Sequence, residues 1–434
     1  MTGPHERGAS ASSGHPPRRM AHDCKNRLYG VRAGTVAEVA TRRFVCHGFD
    51  MLTVVAVVAI VWCLHALFGG HWRIEPRLDD AAAAPDAGEH VVAVVPARNE
   101  ADELPRTLGA LLTQHERLHV VLVDDHSTDG TGDVARRIAA DLGVTDRLTV
   151  LAAEPLPAGW TGKVWAQHQG VQVALARGAD WIWLTDADIR HAPGVLPRLL
   201  ATAARRGRDM VSVMARLRCD NAAEKLLIPA FTYFFATLYS FRATGNDRSR
   251  VAGAAGGCVL VRRTLLERIG GMAAIHDAVI DDCSLARACK DAGGRLWLGY
   301  DAGVDSTRGY PDLTAIWDMV ARSAYTQLRL DPAILVGCIA GLAFVFLVPA
   351  WAVLFGPGLL RALGLLTYAA MVRTYLPMVC WLGCAPAWAL ALPVSATLYA
   401  AMTVSSAWRH HRGAGASWKG RAYGAGGSSE SVAG

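Results

Sequence analysis

Short apolar runs alternate with helix-forming stretches between residues 91 and 185, and this alternation constrains the fold of the chain most strongly. The predicted strands lie at residues 91–96, 119–124, 148–153 and 181–185, and predicted helices begin at 104, 131 and 163. Strand–helix–strand repeats of about 30 residues form a mainly parallel sheet with right-handed crossovers. We therefore predict an α/β domain at residues 88–332, with helices on both faces of the sheet.

Polar side chains follow these strands, at the sheet edge where α/β proteins bind ligands. They are Pro96, Arg98, Asn99 and Glu100 after the first strand, Asp124 and Asp125 after the second, and Asp186 and Asp188 after the fourth. Strand side chains alternate, so the last two carboxylates turn to one side. Mg²⁺ is commonly held by one or two carboxylates plus substrate phosphates. The pattern predicts a diphosphate–metal site; the alternative, turn and helix-cap chemistry, explains Asp129 but not the converging aspartates.

Three of these motifs together resemble family 2 glycosyltransferases, which have the GT-A nucleotide-sugar fold. They are Val-Val-Pro-Ala-Arg-Asn-Glu at 94–100, Val-Asp-Asp-His-Ser-Thr-Asp-Gly-Thr at 123–131 and Asp-Ala-Asp at 186–188. The resemblance implies a nucleotide pocket lined by Pro96, Arg98, Asn99, Glu100, Asp124, Asp125 and Asp186. It also implies that Asp188 and Asp186 hold Mg²⁺ or Mn²⁺ across the diphosphate of a UDP-sugar. Lys163 would contact phosphate; a solvated residue at a helix start is the alternative.

Further stretches resemble the hopene-associated (hopanoid biosynthesis-associated) branch of this family. They lie at residues 157–163, 226–231, 255–258, 280–283 and 324–329. That branch is related to ceramide glucosyltransferases. The resemblance therefore implies a lipid acceptor, plausibly a hopanoid.

Sugar transfer with inversion needs a base that takes the proton of the acceptor hydroxyl. The resemblance implies Asp282, the second residue of an Asp-Asp pair with Asp281, and a neighbouring carboxylate raises the pKa of such a group. The alternative is a carboxylate that only stabilises a helix N-terminus. Gly256 and Gly257 would allow close approach of sugar or acceptor, or would mark a bulge in a strand.

Polysaccharide synthases usually carry Gln-x-x-Arg-Trp after the base, and this chain lacks that motif. Single transfer is therefore favoured over processive polymerisation. The corresponding stretch contains Arg322, Gln327 and Arg329. We expect these residues to contact acceptor or phosphate, with solvated helix cations as the alternative for the arginines.

The chain is 52% hydrophobic, and the excess lies in a few long runs. They predict a transmembrane helix at 49–70 and a membrane region at 333–405 with two or more spans, although the run at 359–378 contains two arginines. Buried core helices are the alternative. The run at 225–241 reads as too short and interrupted to span, which favours an interfacial helix or a buried one.

Residues 1–48 carry eight Lys or Arg against three acidic residues, so they hold most of the net charge of +6. We predict a disordered basic extension there, with Met20 or Met51 as alternative starts, and a basic Gly/Ser tail at 406–434. Without a basic patch in the folded part, a nucleic-acid partner is not expected. The ten cysteines form no Cys-x-x-Cys pair and indicate neither a disulfide framework nor a zinc site.

The sequence thus predicts a multi-pass protein of the cell membrane, with an α/β domain facing the cytoplasm, where nucleotide sugars occur. Its predicted activity is metal-dependent, inverting transfer of one sugar from a UDP-sugar to a membrane lipid. Polyprenyl phosphate or polysaccharide as acceptor, and a catalytically silent nucleotide-sugar-binding module, are the alternatives. A cytoplasmic tail would require an even number of spans after the domain.

Overall fold

The computed structural model describes residues 51–70, 72–79, 89–412, 417–418 and 421–422. The chain divides into two compact units, Met1–Val54 and Val55–Gly434. The predictions for residues 1–48 and for most of the tail at 406–434 therefore lie outside the described residues.

The first half of the described chain contains the predicted alternation of strands and helices. Its elements are α1 (Met51–Gly69), β1 (Val91–Ala97), α2 (Leu104–Leu112), β2 (His119–Asp124), α3 (Thr131–Asp141), β3 (Leu148–Ala152), α4 (Gly162–Ala176) and β4 (Trp181–Leu184). The observed ends of β1–β4 and the observed starts of α2–α4 differ from the predicted ones by no more than one residue. The α/β prediction for this region is confirmed.

The second half of the α/β domain contains the shortest and the longest strand of the sheet. Its elements are β5 (Ile189–His191), α5 (Val195–Arg206), β6 (Met210–Arg216), α6 (Ala222–Leu238), α7 (Phe241–Thr244), β7 (Val259–Arg262), α8 (Arg263–Arg268), α9 (Asp281–Asp291), β8 (Leu296–Ser306), α10 (Leu313–Ala321) and α11 (Ala324–Gln327). The shortest strand is β5 with 3 residues, and the longest is β8 with 11.

The eight strands form one sheet in the order β3-β2-β1-β4-β7-β6-β8-β5. The pairings of β3, β2, β1 and β4 are parallel, as predicted, and β6 is also parallel to β8. In contrast, β7 is antiparallel to both β4 and β6, and β5 is antiparallel to β8. The sheet is therefore mixed, with its parallel half carrying the motifs at 94–100, 123–131 and 186–188.

Side chains of alternate residues in β1 pack on opposite faces of the sheet. Val91, Ala93 and Val95 contact the apolar residues of α2, α3 and α5, whereas Val92 and Val94 contact those of α4, α8 and α9. Every residue of β1 is buried, as expected for a parallel strand with helices on both faces.

The remaining helices form a third apolar cluster over the β6–β8 part of the sheet. They are α12 (Pro332–Leu342), α13 (Val348–Phe355), α14 (Gly358–Trp381) and α15 (Leu392–His411), together with α6 and α10. Short strands at Ser417–Trp418 and Arg421–Ala422 pair antiparallel near the C-terminus.

Among the described residues, five helical stretches are long and apolar enough to cross a membrane. They are Met51–Gly69, Ala222–Thr244, Pro332–Phe355, Gly358–Trp381 and Pro386–His411. The stretch at 225–241, predicted to be too short, is extended because a capping box formed by Asn221 and Glu224 starts α6 earlier. The arginines predicted to weaken the run at 359–378 do not break α14, and Arg373 lies over the Trp72 ring at 5.5 Å.

Candidate active site

The loops that follow β1 and β2 are joined to each other by side chain–backbone hydrogen bonds. Asn99 donates its backbone N–H to Ser127 Oγ at 3.0 Å, and Asn99 Oδ1 accepts from the backbone of Thr128 at 2.9 Å. Asn99 and His126 have positive φ angles of 52° and 56°, a conformation that Asn tolerates better than most residues. Asn99 therefore fixes the relative position of the two loops.

Arg98 and Asp125 form a partly enclosed ion pair behind these loops. Arg98 Nη1 lies 2.6 Å from the Asp125 carbonyl oxygen and 3.6 Å from its Oδ2. Asp124 accepts from the Ser127 backbone N–H at 2.9 Å. Pro96 is buried within β1, opposite Val123 of β2. Among the predicted nucleotide-pocket residues, Pro96 thus forms part of the sheet itself.

Lys163 lies between two carboxylates at the start of α4. Its Nζ is 2.8 Å from Asp186 Oδ1 and 3.1 Å from Asp281 Oδ2, and the side chain is 16% exposed. Burial alone would lower the pKa of Lys163, but Asp186 and Asp281 together raise it well above its ordinary value. The ammonium therefore stays charged, and the alternative of a solvated Lys163 is wrong.

Asp282 is held by two backbone N–H groups at the start of α9. Gly256 donates to Asp282 Oδ2 at 2.8 Å, and Cys283 donates to Asp282 Oδ1 at 2.7 Å. Burial raises the pKa of Asp282 to about 6, with Asp281 adding to the shift while Lys163 and the two N–H groups oppose it. The helix was predicted to begin near Cys283; it begins at Asp281, so both carboxylates also lie in its first turn.

Gly256 and Gly257 lie in the turn that precedes β7, so the alternative of a bulge inside a strand is wrong. A Cβ at Gly256 would lie 3.3 Å from Asp282 Oδ2 and 3.4 Å from Lys163 Nζ. A Cβ at Gly257 would lie 3.0 Å from Ile189. The missing side chain at 256 thus leaves space directly beside the carboxylate and the ammonium.

Asp188 contacts a cation that the sequence analysis did not identify. Arg308, which follows β8, has its Nε 3.3 Å from Asp188 Oδ2 and its Nη2 3.7 Å from Glu100 Oε1. Burial and the charge of Asp186 raise the pKa of Asp188 to about 6, and Arg308 opposes this shift. No local pattern around Arg308 indicates this contact, because the contact depends on how β8 is placed in the sheet.

Asp186 and Asp188 are the carboxylates of this site that could bind a divalent cation. Within the described part of the chain, no group of three or more His, Cys, Asp or Glu is arranged as a complete metal site. The charge of Asp186 helps to raise the pKa of Asp188, so a further positive charge beside Asp188 would be favourable. A magnesium-type ion could be held by this pair with its other ligands supplied by phosphate oxygens and water.

A cavity of about 540 Å³ opens beside Arg308, between the α/β domain and the C-terminal end of α15. Its lining includes Arg322, Tyr310, Arg409 and His410. Gln327 uses its amide oxygen to accept from the Tyr239 hydroxyl at 2.9 Å. Of the three residues predicted to contact acceptor or phosphate on this stretch, only Arg322 is among those that line the cavity, whereas Arg329 is exposed with a φ of 56°.

The structure thus brings one group of charged residues together, and the Asp124–Asp125 pair lies outside that group. The cluster contains Lys163, Arg308, Glu100, Asp186, Asp188, Asp281 and Asp282. Asp124 and Asp125 lie at the end of β2, which is separated from β4 by β1.

Comparison with known proteins finds similarity over most of the α/β domain. Residues 92–270 match the model of glycosyl transferase family 2. The match covers less than half of the chain. Its limits include the ends of β1, β2 and β4 and the Gly256–Gly257 turn, but not Asp281, Asp282 or Arg308.

Two curated relatives match part of this domain. The chain is 38% identical over 110 residues to undecaprenyl-phosphate mannosyltransferase of Micrococcus luteus, which covers 25% of this chain and 42% of that protein. It is 33% identical over 112 residues to polyprenol monophosphomannose synthase of Mycolicibacterium smegmatis, covering 26% and 40%. The chain thus spans about two-fifths of the length of these relatives.

A solved structure shares the fold over most of the chain. The mannosyltransferase PcManGT from Pyrobaculum calidifontis, in complex with GDP-Man and Mn²⁺, is 20% identical, with a TM-score of 0.50 over 83% of this chain and 99% of that one. The GT-A fold predicted from the sequence is confirmed. These matches do not bear on the hopene-associated branch, which stays a prediction.

Proposed function

We propose that the protein is an inverting glycosyltransferase that moves one sugar from a nucleotide-diphosphate sugar to a phosphate-bearing membrane lipid. The observation that carries this proposal is the half-buried Asp282 carboxylate, held by the Gly256 N–H beside Lys163 and the Asp186–Asp188 pair. A family 2 domain supplies the class of reaction, and the acceptor is inferred from the relatives and from the cavity beside Arg308.

In the proposed reaction, an acceptor oxygen forms a bond to the anomeric carbon while the bond from that carbon to the diphosphate breaks. Asp282 takes the acceptor proton when the attacking group is a hydroxyl or a protonated phosphate. With a pKa of about 6, it is mostly ionised at neutral pH and so is ready to accept that proton. The two N–H donors fix the orientation of its oxygens.

Asp186 and Asp188 are the residues that would hold Mg²⁺ or Mn²⁺. A bound ion of this kind neutralises the charge that builds up on a departing diphosphate. Lys163 and Arg308 keep the two carboxylates in place through ion pairs of 2.8 Å and 3.3 Å. Lys163 and Arg308 would also supply positive charge beside the phosphates of a bound donor.

The cavity beside Arg308 supports a lipid with a phosphate as acceptor. Arg308, Arg322 and Arg409 contribute guanidinium groups to its lining, and Asp318 is the one acidic residue among the lining residues of the described chain. Guanidinium groups are well suited to bind phosphate because they donate paired hydrogen bonds. The names of the relatives, undecaprenyl-phosphate and polyprenol transferases, agree with such an acceptor.

The hopanoid acceptor predicted from the sequence remains a second candidate, and it is supported only by the motif resemblance. A catalytically silent binding module is disfavoured by the complete set of Asp186, Asp188 and Asp282. The nucleobase is also open to test: a UDP-sugar is the prediction from the sequence, and the structural relative is a complex with GDP-Man.

The test uses the purified full chain in lipid nanodiscs with Mn²⁺ and a panel of UDP- and GDP-sugars. Each donor is offered with a polyprenyl phosphate or with a non-phosphorylated polycyclic lipid alcohol, and nucleoside diphosphate release and the lipid product are measured. We expect a glycosylated polyprenyl phosphate and loss of turnover with EDTA. A product found only on the lipid alcohol would overturn the acceptor, and nucleotide binding without any turnover would support the silent module.

A further inference from the structure

We infer that a second cavity, lined by four arginines, binds a phosphate group carried by a phospholipid headgroup or by a soluble phosphate ester. This arginine cavity measures about 550 Å³, and among the described residues it shares no lining residue with the cavity beside Arg308. Its charged lining residues are Arg106, Arg190, Arg216, Arg218, Asp220 and Asp305. The inference concerns binding at this cavity and does not depend on the proposed reaction.

The four arginines come from separate parts of the fold. Arg106 lies on α2, Arg190 lies on β5, and Arg216 and Arg218 lie at the end of β6 and just after it. These elements are distant in the sequence, so the folded sheet brings their positive charges to one place. The four side chains are between 42% and 62% exposed, which leaves them accessible to a ligand.

One carboxylate of the cavity is shared by two of the arginines. Arg190 Nη2 donates to Asp305 Oδ2 at 2.7 Å, and Arg216 Nε donates to Asp305 Oδ1 at 2.8 Å. Each guanidinium has five N–H donors, and this contact uses one nitrogen of each, so both retain donors for a further acceptor. The three side chains together carry one positive charge.

The remaining charges do not cancel this excess. Arg106 Nη1 lies 3.7 Å from Glu103 Oε2, beyond hydrogen-bond distance, and that oxygen accepts from Thr307 Oγ1 at 2.6 Å. Arg218 is paired with Asp220 and donates to the Thr307 carbonyl at 3.0 Å. Even with Glu103 counted beside the lining residues, four arginines face three carboxylates, and the cavity keeps a net positive charge.

Phosphate fits this arrangement better than a carboxylate does. A phosphate group is tetrahedral and can accept from guanidinium groups on several sides, whereas a carboxylate offers two oxygens in one plane. Guanidinium groups also match phosphate geometry because they donate paired hydrogen bonds. The volume of about 550 Å³ lies in the range of small-molecule sites and leaves room for a glycerol-sized group on the phosphate.

The arginine cavity is also close to a helix that is long and apolar enough to cross a membrane. Leu382 and Gly383 line the cavity and follow directly on α14. Trp381, the last residue of α14, lies against the Tyr300 ring of β8, with 5.0 Å between the ring centroids. Trp is enriched where membranes meet water, and basic pockets beside membrane helices bind anionic headgroups. This position favours a phospholipid headgroup over a soluble ester.

The experiment uses the purified full chain in a neutral detergent and two probes that separate the sources of phosphate. Glycerol 3-phosphate is titrated by calorimetry. Phosphatidylglycerol retained by the protein is counted by native mass spectrometry, with phosphatidylcholine of the same chain length as the reference lipid. Because phosphate also fits the catalytic cluster, the readout is the difference between a cavity variant and a control variant.

The cavity variant is Arg106→Gln/Arg190→Gln. It removes two positive charges, while Asp305 keeps Arg216 as its partner. We expect it to weaken phosphatidylglycerol binding by about tenfold or more, since it removes donors of charge-assisted hydrogen bonds. Arg106→Gln alone, at a side chain that is 62% exposed, should weaken binding in the same direction and serves if the double variant unfolds at a lower temperature.

The control variant is Arg136→Gln/Arg263→Gln, which removes two exposed, ion-paired arginines outside the cavity. It should bind both probes like the unchanged chain. Loss of glycerol 3-phosphate binding in the cavity variant, without selective retention of phosphatidylglycerol by the unchanged chain, would identify a soluble ester as the source of the phosphate. Equal affinities of the cavity and control variants for both probes would overturn the proposal, and so would the absence of saturable binding of either probe to the unchanged chain.

Discussion

Lys163 sets the charge balance of the candidate active site. Its ammonium is shared between Asp186 and Asp281, so the four neighbouring aspartates remain in excess of nearby cations. Burial and this excess raise the pKa values of Asp188 and Asp282 to about 6. Both carboxylates therefore change charge just below neutral pH, and their titration should be visible in the activity.

The first prediction concerns Asp282 as base. Turnover should rise as pH increases through about 6, because the carboxylate must lose its proton before it can accept one. Asp282→Asn should lower kcat by about 100- to 10,000-fold, the usual contribution of a general base, while nucleotide affinity is unchanged. Asp188→Asn is the comparison: it should also weaken Mn²⁺-dependent nucleotide affinity, measured by calorimetry. Near-normal turnover of Asp282→Asn with the polyprenyl phosphate acceptor would show that Asp282 is not the base.

The second prediction concerns Lys163. This ammonium lowers the pKa of Asp282, so Lys163→Met should raise that pKa and move the rise of the pH–rate profile to higher pH. Lys163→Arg keeps the positive charge and should leave the profile in place. The measurement is kcat/KM between pH 5 and 9 for the three proteins. If Lys163→Met lowers the rate equally at all pH values, its role is contact with phosphate and not control of Asp282.

The third prediction concerns the space at Gly256. Gly256→Ala places a methyl group 3.3 Å from Asp282 Oδ2 and 3.4 Å from Lys163 Nζ, so the carboxylate or the ammonium has to move. We expect kcat to fall at least tenfold, with the thermal transition changed by only a few degrees. Gly337→Ala, which meets no atom within 4 Å, is the control and should be silent in both measurements. A fully active Gly256→Ala would exclude close approach of substrate at this turn.

At the scale of elements, the parallel half of the fold could be predicted from the sequence, because each strand and helix there has a strong local pattern. The buried runs of β1, β2 and β4 are continuous, and α3 and α4 follow them at regular spacing. The antiparallel placement of β7 was not predicted, since four apolar residues after a glycine pair carry no information about strand direction. That placement is decided by packing against β4 and β6.

The fourth prediction tests how closely α4 approaches the sheet. A Cβ at Gly170 would lie 2.4 Å from Val94 Cγ1 and 3.0 Å from Val123, so the helix has to move away from β1 and β2. Gly170→Ala should destabilise the protein by about 1–3 kcal/mol, the usual effect of overpacking. Because Lys163 lies on the same helix, activity should fall as well. Gln172→Ala, exposed two residues further along, is the control in thermal unfolding and turnover.

At the scale of the whole molecule, the sequence predicted the acidic residues of the site but not all of their partners. Asp186, Asp188 and Asp282 belong to motifs that resemble a known family, so they could be selected before their positions were known. Arg308 belongs to no such motif, and it reaches Asp188 because β5 pairs antiparallel with β8, which places Asp188 beside Thr307. The sequence also could not predict that Arg409 lines the cavity, because the position of Arg409 depends on where α15 ends in the fold.

The last prediction concerns the dependence of the α/β domain on the C-terminal helices. Met214, Leu298 and Tyr300 of β6 and β8 are buried in one cluster with Met371 and Tyr375 of α14. A chain that ends at Asp331 would expose this apolar face of the sheet, and large exposed apolar patches cause aggregation. We expect it to be absent from the detergent-soluble, monodisperse fraction in size-exclusion chromatography, whereas a chain that ends at Arg412 should behave like the full chain. A monodisperse, nucleotide-binding product from the shorter chain would mean that the domain folds without its membrane helices, and that the third apolar cluster serves only to anchor it.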